Sequence, residues 1–225
     1  MDTINQILNV NFIYVAGFRG RGVVSKTIKF VEGLFSAYAD FTHVGILIHS
    51  SQLNQELRDE NCIQIGEWIC FESTLSGKWN DDVKNSCNKT FFGVQGRKLS
   101  ELINSYNGYE GYLCIARLLI HQKPFELNIN LKKHLNKKYD YNFLNLLTIH
   151  TIEKKQLSLV MNNICSFFGV APTEKMFCSE FVFKFLNDCK LIPNKYINKH
   201  PKNISPSFII TEIIQKTFIF TTRPH

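Results

Sequence analysis

The sequence contains no long apolar run. None approaches the roughly 18 consecutive apolar residues that a membrane-spanning helix needs, so no transmembrane segment is expected. The start, Met1 to Gln6, places no basic segment ahead of an apolar core and does not read as a signal peptide. There is no Cys-x-x-Cys pair, and Cys62 and Cys70 have no His at zinc-finger spacing, which argues against a structural zinc site. His-Glu-x-x-His, P-loop and dinucleotide-binding fingerprints are all missing, so neither a metal nor an organic cofactor is expected. No internal repeat and no linker divides the chain, which leaves one domain over residues 1–225. Alanine is scarce, at 5 residues against 24 Ile and 21 Asn, a bias that matches coding from an AT-rich genome.

Charge and cysteine carry less than their counts suggest. The net charge of +7 comes from 20 Lys and 6 Arg against 19 acidic residues, and the codon bias explains the lysine surplus. The Arg19–Gly22 run is short, and Lys132, Lys133, Lys137 and Lys138 form a local patch that reads as a solvated helix face. No nucleic-acid partner is expected. Seven cysteines, an odd number, without a secretory signal point to free thiols in a reducing, cytoplasmic compartment.

The apolar pattern predicts an α+β chain. Strands are expected over 12–16, 41–48, 62–72, 93–97, 112–120 and 216–222. Helices are expected over 26–36, from Ser100, over 126–137, through a stripe between Glu153 and Phe168, and from about 174–178 to 188. Polar, turn-rich stretches at 51–61 and 76–92 read as surface connections, and Gly17, Gly20 and Gly22 punctuate a loop.

Three residues carry possible chemistry. His43 lies in a strand with two apolar faces, where an imidazole needs a hydrogen-bond partner or a catalytic task. Gly45 shares its face and leaves room for a substrate or another backbone. Cys178 sits at or near a helix start, where orphan N–H groups and aligned peptide dipoles stabilise a thiolate. Glu72 ends the strand expected to pair with the His43 strand, and a carboxylate there orients an imidazole. Each has a plainer reading: a satisfied core histidine, a core cysteine, a strand-end acid facing water. Ser179 follows the cysteine without a Gly-x-Ser-x-Gly elbow, and Tyr139-Asp140 precedes a long apolar section.

Taken in order, Phe41-Thr42-His43-Val44-Gly45-Ile46, Phe71-Glu72-Ser73, Lys138-Tyr139-Asp140 and Phe177-Cys178-Ser179-Glu180-Phe181-Val182 resemble the motif series of the circularly permuted papain-like superfamily. That group is related to NlpC-type hydrolases and lecithin:retinol acyltransferase and has bacterial and poxviral members. The likeness spans about residues 12 to 210, and Ser205-Pro206 fits its layout. It implies Cys178 as nucleophile, His43 as general base and Glu72 as the residue that orients it, with Tyr139 and Ser179 as possible lining residues. It also implies a partly curled antiparallel sheet packed against helices, with the cysteine at a helix N-terminus.

The resemblance implies a cysteine-dependent hydrolase or acyltransferase that works through a thioester on an amide or ester, with a peptide or lipid-like acyl substrate. Two other readings stay open: a lipid acyl enzyme in particular, and a catalytically idle scaffold serving as a viral or host-interaction protein. The AT-rich composition together with the poxviral likeness suggests a viral source, acting in host cytoplasm or the virion, or else an AT-rich bacterium.

Overall fold

The β-branched and aromatic runs form strands, and their alternation decides which face each side chain takes. A computed structural model of the chain describes residues 8–19, 41–61, 63–74, 93–107, 113–118, 124–137, 176–214 and 218–221. The strands are β1 (Ile13–Phe18), β2 (His43–His49), β3 (Trp68–Thr74), β4 (Gly93–Lys98), β5 (Leu113–Leu118) and β6 (Phe218–Thr221). They make one antiparallel sheet in the order β4-β3-β2-β1-β5-β6. This overturns the expected curled papain-like sheet. The strand order is linear, β4 and β6 form opposite edges that do not pair, and the α+β sheet stays open.

One face of the sheet carries the larger core. Ile13, Val15, Val44, Ile46, Ile48, Ile69, Phe71 and Val94 pack with Phe181, Val182, Phe185 and Leu186 of a long helix, Cys178–Asp188. That helix is expected from its stripe, and the structure buries Phe183, Ser179 and Glu180 as well. Each fully buried aliphatic or aromatic side chain contributes about 1.5–3 kcal/mol from removed apolar surface. The other face holds Tyr14, Ala16, Phe18, Leu47, Trp68 and Cys70 against Leu99 and Leu102 of the helix Leu99–Asn107.

Several boundaries move for local reasons. The polar stretch 51–61 contains a short helix, Gln55–Glu60. Asn54 caps it by accepting from the Leu57 N–H at 2.9 Å, and Leu57 anchors it in the core. The strand expected from residue 62 starts only at Trp68, because the chain turns at Gly66 with φ +95° and leaves Ile65 exposed. Gly17 continues β1 instead of opening a loop. A Cβ there would lie 2.8 Å from the Phe41 ring, so this glycine permits close packing. The helix expected over 126–137 runs Pro124–Lys132 and ends in a turn with Asn136 at φ 64°. The expected helix at 26–36, the 76–92 connection and the 153–168 stripe lie outside the described residues.

Two serine clamps fix the ends of the strands that matter most. The Ser207 hydroxyl accepts from the Phe41 N–H at 3.0 Å and donates to the Phe41 carbonyl at 3.2 Å, two residues before His43. Ser207 is itself held in the short helix Pro206–Phe208, capped by Ser205 through the Phe208 N–H at 3.1 Å. The Ser73 hydroxyl donates to the Met176 carbonyl at 2.6 Å, which ties the end of β3 to the segment leading into Cys178.

Candidate active site

Adjacent antiparallel strands place directly opposed residues on the same face. Leu47 opposes Cys70, Glu72 opposes Gln95 and Cys70 opposes Arg97. At one end of the second face the apolar side chains therefore give way to His43, Glu72, Gln95 and Arg97. Gly45 sits against this group. A Cβ on it would meet the Cys70 sulfur at 2.5 Å, the Phe71 carbonyl oxygen at 3.0 Å and the Glu72 Cβ at 3.3 Å. Of the two uses the sequence left open for that gap, the neighbouring strand takes it. The space is filled by β3 and its Cys70 side chain.

His43 opens β2 and keeps 15% of its side-chain surface, whereas Glu72 keeps only 1%. The Nε2 of His43 is hydrogen-bonded to Oε2 of Glu72. An ionised carboxylate only accepts, so Nε2 carries the proton of that bond and Nδ1 is left for other work. The second carboxylate oxygen, Oε1, accepts from Nη1 of Arg97 at 2.9 Å. Arg97 is buried, and its Nε has no hydrogen-bond partner among the described residues.

Cys178 is the first residue of its helix and is 5% exposed, within the larger core cluster. The preceding Phe177 supplies no side-chain cap, so the first-turn N–H groups beside the thiol receive no side-chain acceptor from it. The helix packs across β2 and β3, and His43 stands at the first position of β2. Cys178 lies near enough to the imidazole to favour its protonated form.

The electrostatics follow from that chain of contacts. Burial alone pulls the His43 pKa down. Interactions with Cys178 and Glu72, including the hydrogen bond to Glu72, outweigh it and push the value up to about 10. Burial works against an ionised Glu72, but His43 and Arg97 on either side hold its pKa below the ordinary carboxylate value. Cys70 behaves oppositely. Burial and the nearby Glu72 charge push its thiol well above the usual range, with Arg97 pulling back. Burial likewise raises Cys189 to about 11.

The structure thus brings Cys178, His43 and Glu72 together. Ser179 is buried one residue beyond Cys178 in the same helical turn. Tyr139 lies outside the described residues, as do Cys62, Cys87 and Cys165. Arg97 is the site residue that the sequence reading passed over, as one member of a short edge strand. Parity puts Arg97 on the face of Gln95, but only the β3–β4 register, which the sequence does not record, brings that face to Glu72. Among the described residues no three His, Cys, Asp or Glu side chains converge as a metal-ligand set. No helix among them is long and apolar enough to cross a membrane. No family model matches the chain, and no curated protein matches it.

Proposed function

We propose that the protein is a cysteine-dependent hydrolase or acyltransferase acting on an amide or ester carbonyl. The observation that carries this reading is the position of His43, between the Cys178 thiol and the Glu72 carboxylate. The order of the surrounding motifs, which resembles that of the permuted papain-like superfamily, points the same way.

In the first half-reaction the Cys178 thiolate attacks the carbonyl carbon and forms a C–S bond, and the carbonyl π electrons move to oxygen. The helix-start N–H groups stabilise that oxyanion. The oxyanion collapses, the bond to the amine or alcohol breaks, and the leaving group takes the proton from Nδ1 of His43. In the second half-reaction His43, now neutral, takes a proton from water at Nδ1 as that oxygen attacks the thioester. The C–S bond breaks, and thiolate and imidazolium are restored. An amine or alcohol in place of water gives acyl transfer. Glu72 keeps Nε2 as the donor nitrogen throughout, so the tautomer never blocks Nδ1.

A thiol-reactive activity probe applied to the folded chain at about pH 6 tests this. Labelling confined to Cys178, and lost in both Cys178→Ala and His43→Ala, is the expected result. Cys70 and Cys189 stay unlabelled there, because burial keeps them as thiols. Labelling that spreads over the other cysteines and ignores His43 would sink the enzyme reading and favour an interaction protein that merely retains the set.

A further inference from the structure

We propose that Arg97 is a positioning residue of the site: its buried guanidinium holds the far side of the Glu72 carboxylate and thereby fixes the charge and orientation of the whole Cys178–His43–Glu72 set. This rests on the acyl-transfer reading above.

Four elements contribute one group each, in a row: Cys178 from the helix start, His43 from β2, Glu72 from β3 and Arg97 from β4. In the reactive state the charges alternate as thiolate, imidazolium, carboxylate, guanidinium. They cancel in pairs, which a buried site requires. Without Arg97 the row carries one excess negative charge when the thiolate forms. That excess is relieved by returning a proton to one of the two anions, and either choice disables the site. A protonated Cys178 is a poor nucleophile, and a neutral Glu72 no longer stabilises the imidazolium.

Geometry supports a dedicated role. Glu72 and Arg97 are diagonal neighbours across the β3–β4 ladder, where only a long side chain closes the gap. The contact is a 2.9 Å charge-assisted bond between residues of 1% and 7% side-chain exposure, where water competes little. The glycine before Arg97 on β4 keeps this strand close. A Cβ on Gly96 would lie 2.8 Å from the Phe71 ring. Among the described residues, the titratable and charged groups facing Glu72 are His43, Cys70 and Arg97. Cys70 is held as a neutral thiol, which leaves Arg97 as the cation on that side.

The test is the pH dependence of Cys178 alkylation by iodoacetamide in the full chain, read by mass spectrometry of the Cys178 peptide. Wild type is compared with Arg97→Gln, Arg97→Met, Arg97→Lys and His43→Ala, and circular dichroism reports folding. In the two uncharged variants the alkylation midpoint is expected to move up by about one pH unit or more, a loss of about tenfold in rate below it. Arg97→Lys restores the charge without the planar fork, so its midpoint stays near wild type while its plateau rate falls. A folded uncharged variant with the wild-type profile overturns the proposal. So does failure of both uncharged variants to fold while Arg97→Lys keeps the wild-type profile and plateau, which marks a structural role. If His43→Ala leaves the wild-type profile unchanged, the acyl-transfer reading itself fails, and the role of Arg97 falls with it.

Discussion

Glu72 holds His43 with one carboxylate oxygen and Arg97 with the other. A single buried acid thus joins three strands, with its partners on β2 and β4 at either side of β3. Both oxygens are engaged, so the carboxylate cannot rotate without losing a charge-assisted bond. The imidazole it carries is oriented by the sheet itself and not by a loop.

Glu72→Gln keeps the shape of this residue and removes its charge. Arg97 is then a buried cation without its carboxylate, and His43 loses the group that favours its protonated form. Breaking a buried pair from one side costs about 3–5 kcal/mol, which urea unfolding will show as a lower midpoint. An imidazole that Glu72 no longer orients or charges supports the Cys178 thiolate less, and the rate of Cys178 labelling near pH 6 falls by about tenfold or more in the protein that remains folded. An unchanged unfolding midpoint would contradict the buried pair.

Stability should pass through a maximum near neutral pH. The pKa of His43 is raised from 6.5 to about 10 on folding, so its contribution is complete below about 6.5 and fades as pH rises towards 10. The pKa of Glu72 is lowered, so its contribution is present above its ordinary value of 4.5 and is lost as pH falls below it. His134 and His49 are lowered by burial, against hydrogen bonds to Asp188 and the Gly66 backbone. Their contributions are present above 6.5 and decline on acidification. Urea midpoints measured from about pH 4 to 10 should fall on both sides. A stability that keeps rising to pH 10 would be inconsistent with an imidazolium held by the buried Glu72 carboxylate.

Gly45→Ala inserts a methyl group 2.5 Å from the Cys70 sulfur and 3.0 Å from a backbone oxygen. The sulfur can move, but the Phe71 carbonyl belongs to the β2–β3 ladder and cannot move without disturbing pairing. Destabilisation of about 1–3 kcal/mol is expected. Cys70→Ala in the same chain should recover part of it, giving a coupling that a double-mutant cycle measures. Strictly additive effects would show that the two side chains do not compete for that space.

Much of the secondary structure was legible in the chain. Apolar, β-branched and aromatic runs marked the strands around His43 and Trp68, and the period-3.6 stripe from Cys178 to Cys189 marked the helix that crosses them. Boundaries slipped where one residue overrode the pattern. Gly66 turned the chain before β3 could begin, and Gly17 served packing against Phe41 instead of a loop. The expected curl failed because curvature depends on how edge strands meet, and no local pattern records whether β4 and β6 pair.

The site divides along the same line. The acid expected to end a strand lies inside β3, which runs on to Thr74. The sequence by itself determined that a histidine would sit between apolar neighbours and that a cysteine would begin a helix. Those are local facts of periodicity and helix boundaries. Only the tertiary structure decided that Cys178, 135 positions after His43, returns to the end of β2. It alone decided that Glu72 turns inward, because an ion pair with Arg97 from the next strand offsets the cost of burying it. Register, set by the β3–β4 ladder, makes that partner a matter of geometry that spacing along the chain does not encode.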